Sequence, residues 1–409
     1  MSDQNPRQEP LRHVPVKPNL PQLRQQAKDL LRSIRQGNQT AIDEFRQSNP
    51  SQKFADTLEQ VKLADAQFAL ARSYGVASWP RIIQACNLID AIWENDIETA
   101  RKLVTKYPRL IHENARATEH CNWGPPMSYA ANLGRDEIIT MLHTLGATDL
   151  ERAIDRAALQ SQIGTARLLH DMMGNPPLPD NCLDGPAYTL SASGTSLMFE
   201  LGARAVDSNG HRLAPVDVVL ETDGRNPTAK HDILEMFVRH GLTLPDTPPM
   251  AVHRGRIDLL EDHLRRDPKL LERRFAHEEI YPPEMGCHDE ALATQGTPLR
   301  GTTLLHMCID YDEMEIARWL IEKGMDVNTR SAVDAQGFGG YTALFATVVS
   351  QPNFWMNRGY KERDAPFTRL LLEHGADPNI RGSLRKQLHP DYGPKYDTRV
   401  YEYRDVTAL

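Results

Sequence analysis

Thr303-Leu304-Leu305-His306-Met307-Cys308 and, a short way on, Trp319-Leu320-Ile321-Glu322-Lys323-Gly324-Met325-Asp326-Val327-Asn328 decide how this chain is read. They are the two halves of one repeated unit, a helix, a tight turn and a second helix, and further copies occur on both sides. The apolar faces of such a unit are too small to be buried alone, so neighbouring copies supply each other's core. A row of helix pairs follows, and no large sheet.

The copies can be located by their closing residues. Second helices end at Gly146, Gly174, Gly202, Gly241, Gly324 and Gly375, and glycine tolerates the left-handed conformation that follows a helix. Ile97 to Lys106 instead runs into Tyr107-Pro108-Arg109-Leu110-Ile111, and Ile257 to Arg266 into Asp267-Pro268-Lys269-Leu270-Leu271, with isoleucine and proline equally spaced in both. First helices are expected at Ile89 to Asn95, Pro126 to Ala131, Leu150 to Ala158, Ala187 to Ala192, Ala214 to Leu220 and Tyr341 to Ala346. Val406-Thr407-Ala408-Leu409 reads as the opening of one more, which implies either a natural chain that continues or a cut fragment.

These motifs resemble the ankyrin repeat. The resemblance implies an all-α ankyrin-repeat solenoid with an N-terminal helical cap and long hairpin-finger insertions. Against the usual period of about 33 residues, the closing glycines are spaced 28, 28, 39, 83 and 51 apart, so early copies are trimmed and later ones expanded. Between Leu20 and Leu88 the spacing is helical without the repeat signature. Leu23, Ala27, Leu30, Leu31 and Ile34 form one stripe, Ala41, Ile42 and Phe45 a second, and Leu58, Val61, Leu63, Ala66, Phe68, Ala69, Leu70 and Ala71 a third. Leu63-Ala64-Asp65-Ala66-Gln67, Ala71-Arg72-Ser73-Tyr74-Gly75 and Ser78-Trp79-Pro80 look like a helical segment that precedes the repeats in many bacterial ankyrin-repeat proteins, with Ser78 as the cap of the next helix. The expected organisation is a disordered tail over 1–19, a helical cap over 20–88 and a solenoid of about seven repeats, the last incomplete, over 89–409.

Composition restricts the function. The 409 residues exceed the usual size of one core, 40% are hydrophobic and 25% charged, and 28 prolines against 10 phenylalanines favour short helices joined by turns. The net charge of -8 opposes a nucleic-acid partner. No stretch reaches the roughly 18 apolar residues of a membrane span, and the proline-rich opening lacks the apolar core of a secretory signal. Five cysteines without framework spacing fit reduced thiols and a cytoplasmic location.

Four connectors on the finger edge are long: Leu110 to Pro125, Arg273 to Gly301, Thr329 to Gly340 and Ile380 to Asp405. Ordering each residue costs about 1 to 2 kcal/mol of backbone entropy, so such fingers persist by packing or by gaining a ligand. Three are consecutive and should converge. The insert Gln351 to Ala365 falls at the other end of its repeat and buttresses the stack. Binding candidates are Trp123, His277, Tyr281, His288, Phe338, Tyr341, His389, Tyr392 and Tyr396. Tyrosine offers rigid area with a polar end, and the last finger interleaves its tyrosines with Arg385, Lys386, Lys395 and Arg399. Trp123, beside Gly124 and Pro125, also suits a turn anchor. Cys287-His288 has no second ligand pair nearby, so no metal and no cofactor is expected. His306 is expected to bridge backbone groups, and Asp334 to Tyr341 to form a glycine-turned hairpin rather than a phosphate loop. The favoured function is a scaffold holding a protein partner or small polar ligand on its concave face and fingers, without catalysis. The alternative is an enzyme using His277, His288, Asp289 or Asp334 as acid, base or ligand. The sequence sets no oligomeric state.

Overall fold

A computed structural model describes residues 17–49, 58–113, 123–222, 224–288, 297–349, 365–387 and 400–408. The chain divides into two compact units, the first running to Pro176 and the second starting at Pro177. In both, the repeating element is an antiparallel helix pair.

The first unit opens on three helices. Leu20–Arg35 starts where the Asn19 side chain accepts from the Gln22 N–H and Pro21 sets the first turn. Leu23, Ala27, Leu30 and Ile34 recur every three or four residues and are buried on one face. Gln39–Ser48 is capped by Asn38 and buries Ala41, Ile42 and Phe45. The third helix is Leu63–Ser73, shorter than the apolar stripe from Leu58 predicts. Leu58–Gln60 forms a separate 3-10 turn, and the Asp65 carboxylate accepts from the Lys62 N–H and so fixes the true start. Phe45, Leu70 and Tyr74 centre a core that also takes Ile82 and Cys86 from the next helix, Trp79–Trp93. That helix runs straight through the boundary expected at 88. Two of its other buried residues, Leu88 and Ile89, line a small cavity with Leu110 and with Pro126 and Tyr129 of the following repeat. Ser78 occupies the cap position but makes no side-chain cap bond.

Among the described residues, three helix pairs follow in the first unit and five in the second, where about seven repeats were expected. The first unit holds Trp79–Trp93 with Ile97–Lys106, Pro126–Asn132 with Asp136–Thr144, and Leu150–Leu159 with Ile163–Met172. The second opens with Asp184–Tyr188 and Ala192–Glu200, then Val216–Leu220 and Pro227–Arg239, then Pro248–His253 and Ile257–Arg266. Leu304–Asp310 pairs with Met314–Glu322, and the short turns Ala343–Phe345 and Ala346–Val349 precede Pro366–Glu373. The helix expected over Ala187 to Ala192 is displaced. Leu190 has a positive φ of 53°, the first helix has ended at Tyr188, and the Ser191 side chain accepts from the Gly194 N–H to start the second helix at Ala192. The glycine ruler is physically founded: all six closing glycines have φ between 80° and 104°.

At the C-terminal end, β1 (Gly382–Gln387) pairs antiparallel with β2 (Val400–Val406), the only named strands among the described residues. Where a first helix was expected to open, Val406 therefore ends a strand. Its partner strand offers the backbone pairing that the missing second helix could not.

Candidate functional site

The described parts of the three late fingers belong to the second unit and touch in order. Arg274 Nε donates to the Arg330 carbonyl at 2.8 Å, and the Ala332 N–H to the Gly301 carbonyl at 2.7 Å. Gly339 and Ser383 exchange backbone bonds of 2.7 and 2.9 Å, which stitches the Thr329 to Gly340 hairpin to β1. Phe338 is buried between two guanidinium groups, Arg385 at 4.4 Å and Arg404 at 4.1 Å from its ring centre. Beneath them the Asp334 carboxylate accepts from the Gln336 and Phe338 N–H groups and from Arg385 at 2.8 Å. The Phe338 backbone bond, first among these, holds that carboxyl below its ordinary range.

The remaining sequence candidates fall in several places. Tyr341 is buried and its hydroxyl donates to the Pro298 carbonyl at 2.5 Å. His277 is buried, with Nε2 3.1 Å from the His288 carbonyl and its ring against Tyr281. The His288 ring is half exposed and pairs through Nδ1 with Glu221 at 2.7 Å. Trp123 lies in the first unit, stacked on Trp93 at 5.6 Å, tilted on Tyr129 and covered by the Arg156 guanidinium at 5.4 Å. That geometry fits the turn anchor, while its binding role is not tested. Asp289, His389, Tyr392 and Tyr396 lie outside the described residues, as does most of the Gln351 to Ala365 insert. His277, His288 and Asp334 thus each serve a contact that shapes a finger. Among the described residues no group of His, Cys, Asp or Glu is placed to hold a metal ion, and no helix is long and apolar enough to cross a membrane.

Under the Arg273 to Gly301 finger the structure assembles a set that the sequence reading did not single out. Lys230 is 2% exposed, on the helix Pro227–Arg239. Its Nζ lies 2.7 Å from His253 Nδ1 and 3.6 Å from the centre of the Tyr311 ring. His253 Nε2 is 3.0 Å from the Ile280 carbonyl, which can only accept. The imidazole is therefore the neutral tautomer protonated at Nε2, and Nδ1 accepts from the lysine. Burial, then the neighbouring lysine, pushes His253 well below its ordinary range. The Tyr311 and Tyr281 hydroxyls meet at 2.6 Å, and Tyr311 also donates to the Leu220 carbonyl at 2.9 Å. Arg225 pairs with Asp310 at 3.4 Å, and His231 with Glu313 at 2.8 Å. Burial drives Lys230 down to about 7, against the pull of Glu313 and Asp310.

A signal for this cluster was present. Lys230, Ile233, Leu234 and Phe237 stand at i, i+3, i+4 and i+7, so the lysine occupies an apolar stripe. His306 repeats the bridging geometry without a lysine: Nδ1 is 3.0 Å from the Thr303 hydroxyl and Nε2 3.3 Å from the Tyr341 carbonyl, across to the next repeat. Burial lowers it to about 4.

Residues 300–329 match the family model for the ankyrin repeat. No curated protein matches the chain. Among solved structures the chain is similar to the human ASB11 ankyrin repeat domain, at 17% identity over 62% of this chain and 99% of that chain, with a TM-score of 0.29.

Proposed function

We propose that this ankyrin-repeat protein, a protein-interaction scaffold by virtue of its repeats, holds its partner on the two interlocked late fingers, Thr329 to Gly340 and Ile380 to Asp405. The observation that carries the reading is exposed apolar side chain on adjoining, mutually braced segments. Val333 is 62% exposed, Val400 55% and Tyr403 44%. Solvent-facing valine and tyrosine on ordered backbone lose little conformational entropy when covered, and so suit a docking surface. The Asp334 turn and the Arg385–Phe338–Arg404 sandwich supply that order.

Acids and bases alternate around these side chains. Arg330, Arg381, Arg385 and Arg404 stand among Asp334, Glu402 and Asp405. Such a rim sets orientation and specificity, while the apolar centre supplies affinity. His277 bonds the His288 carbonyl and His288 pairs with Glu221, contacts that shape the finger and fit a scaffold.

The test is affinity capture followed by titration of the captured protein in purified form. The triple variant Val333→Ser, Val400→Ser, Tyr403→Ser should bind about ten-fold or more weakly. Leu145→Ser, which alters an exposed apolar residue of the first unit, should leave affinity unchanged. Equal affinity for the triple variant would place the docking surface elsewhere.

A further inference from the structure

The two docking fingers, Thr329 to Gly340 and Ile380 to Asp405, stand apart from the buried lysine cluster, which lies under the Arg273 to Gly301 finger. We infer that the segment Phe275–His288 is a hinged strap whose closure is coupled to loss of a proton from the groups beneath it.

The strap is attached at one end through backbone. Phe275 and Thr302 form an isolated antiparallel bridge, and the Gly301 N–H donates to the Phe275 carbonyl. Beyond that base, among the described residues, the one-turn helix His277–Ile280 and the 3-10 turn Pro283–Met285 have only local backbone bonds, ending on Gly286 with φ of 85°. Two bonds fasten them over the cluster: His253 Nε2–H to the Ile280 carbonyl, and Tyr281 to Tyr311. At the half-exposed far end His288 adds two bonds to Glu221, from its backbone N–H and through its ring Nδ1, each of 2.7 Å. Both inner fasteners are one residue removed from Lys230, because His253 and Tyr311 are the two groups its amine touches. The strap is therefore part of what keeps water from that amine.

Charged and titratable groups face Lys230 from every neighbouring element. His231 comes from its own helix, His253 from the helix Pro248–His253, and Asp310, Tyr311 and Glu313 from the following repeat. Arg225 lies before its helix, and Tyr281 and Cys287 belong to the strap. The two carboxylates favour the ammonium, Arg225 opposes it, and desolvation outweighs them all, so the amine stands near 7 while the strap is closed. Opening the strap hydrates it and returns it toward its ordinary value of about 10.5. The open form then binds more protons, and falling pH favours opening. Above about pH 9 the strap's own Cys287, held up near 12 by burial, begins to reverse that trend, because an exposed thiol ionises there. The coupling is therefore read between pH 7 and 9.

The experiment is hydrogen exchange by mass spectrometry on the full chain from pH 7 to 9, corrected for intrinsic exchange, in peptides covering 275–288. In the wild type, protection should rise with pH by up to roughly 50-fold across that range, the ceiling set by one amine moving fully between about 7 and about 10.5. Lys230→Met should be flat with pH. Tyr281→Phe, which removes one fastener and leaves the amine in place, should lower protection about five-fold at each pH and keep the slope. It also provides a folded comparison should the lysine variant fail to fold. A flat wild type, a slope that survives in Lys230→Met, a slope lost in Tyr281→Phe, or an equal change in peptides from Leu304–Asp310 would each overturn the inference. The last of these would mean that whole repeats open rather than the strap.

Discussion

Replacing Gly339 by alanine should detach the last finger from its neighbour while leaving the helix pairs intact. Gly339 has φ of 128°, a conformation that costs a residue with a side chain about 1 to 3 kcal/mol. The added carbon would also sit 2.0 Å from the Ala332 carbonyl oxygen and 2.8 Å from the Val333 Cα, both backbone atoms that cannot rotate away. The hairpin has to move by about an ångström to reach ordinary contact. Such a shift breaks the two backbone bonds shared with Ser383, at about 0.5 to 1.5 kcal/mol each. It also displaces Phe338 from Arg385 and Arg404, contacts of about 0.5 to 1 kcal/mol each where exposed. Taken together, local opening of β1 and β2 should become easier by about 3 to 8 kcal/mol, at least roughly a hundred-fold in exchange protection. Hydrogen exchange in peptides over 382–387 and 400–406 reads this directly, with the helix Leu63–Ser73 in the first unit as the unchanged reference. Protection within three-fold of the wild type would refute the claim that this glycine couples the fingers.

Lys230 should also leave a mark on global stability. Its amine is lowered to about 7 in the fold and ordinary when unfolded, so the unfolded chain binds more protons between those values, and stability is lost as pH falls through that window. Urea unfolding should show a gain of about 2 kcal/mol from pH 7 to 9, absent in Lys230→Met. Above pH 9 the thiols of the buried Cys86 and the half-buried Cys287, both raised to about 12, should turn the curve down. In the first unit, Leu70→Ala empties a fully buried position beside Phe45 and should cost about 2 to 5 kcal/mol, measurable by the same titration. A cost below 1 kcal/mol would show that the cap core collapses around the void.

The repeats were legible because their signals are periodic and local. The glycine at the end of each second helix, the matched proline turns at Pro108 and Pro268, and the apolar stripe of Leu23 to Ile34 each report a conformation without tertiary information. Failures arose where one residue decides a boundary. Asp65 delays the third helix to Leu63, and Leu190 with Ser191 moves a helix start to Ala192. β1 and β2 were missed because arginine, lysine and glutamate interrupt any alternating pattern, and because the bridge that ties β1 to the neighbouring finger comes from Gly339, more than forty residues earlier in the chain. Chemically rich residues drew attention to His277, His288 and Asp334, whose partners turn out to be loop backbone and single counter-charges. The denser cluster around Lys230 is spread over four helices and a finger. Only the misplaced lysine on an apolar face could have given it away.

The helix Trp79–Trp93 belongs to two neighbours at once, giving Ile82 and Cys86 to the core before it and Leu88 and Ile89 to the repeat after it. Truncations that aim to isolate the repeats have no clean place to cut near it. Cutting at residue 88 severs a continuous helix, and cutting ahead of Ser78 leaves Ile82 and Cys86 facing water on the first exposed surface. A shortened protein would need polar replacements at those two positions, because the leading helices share one core with Trp79–Trp93.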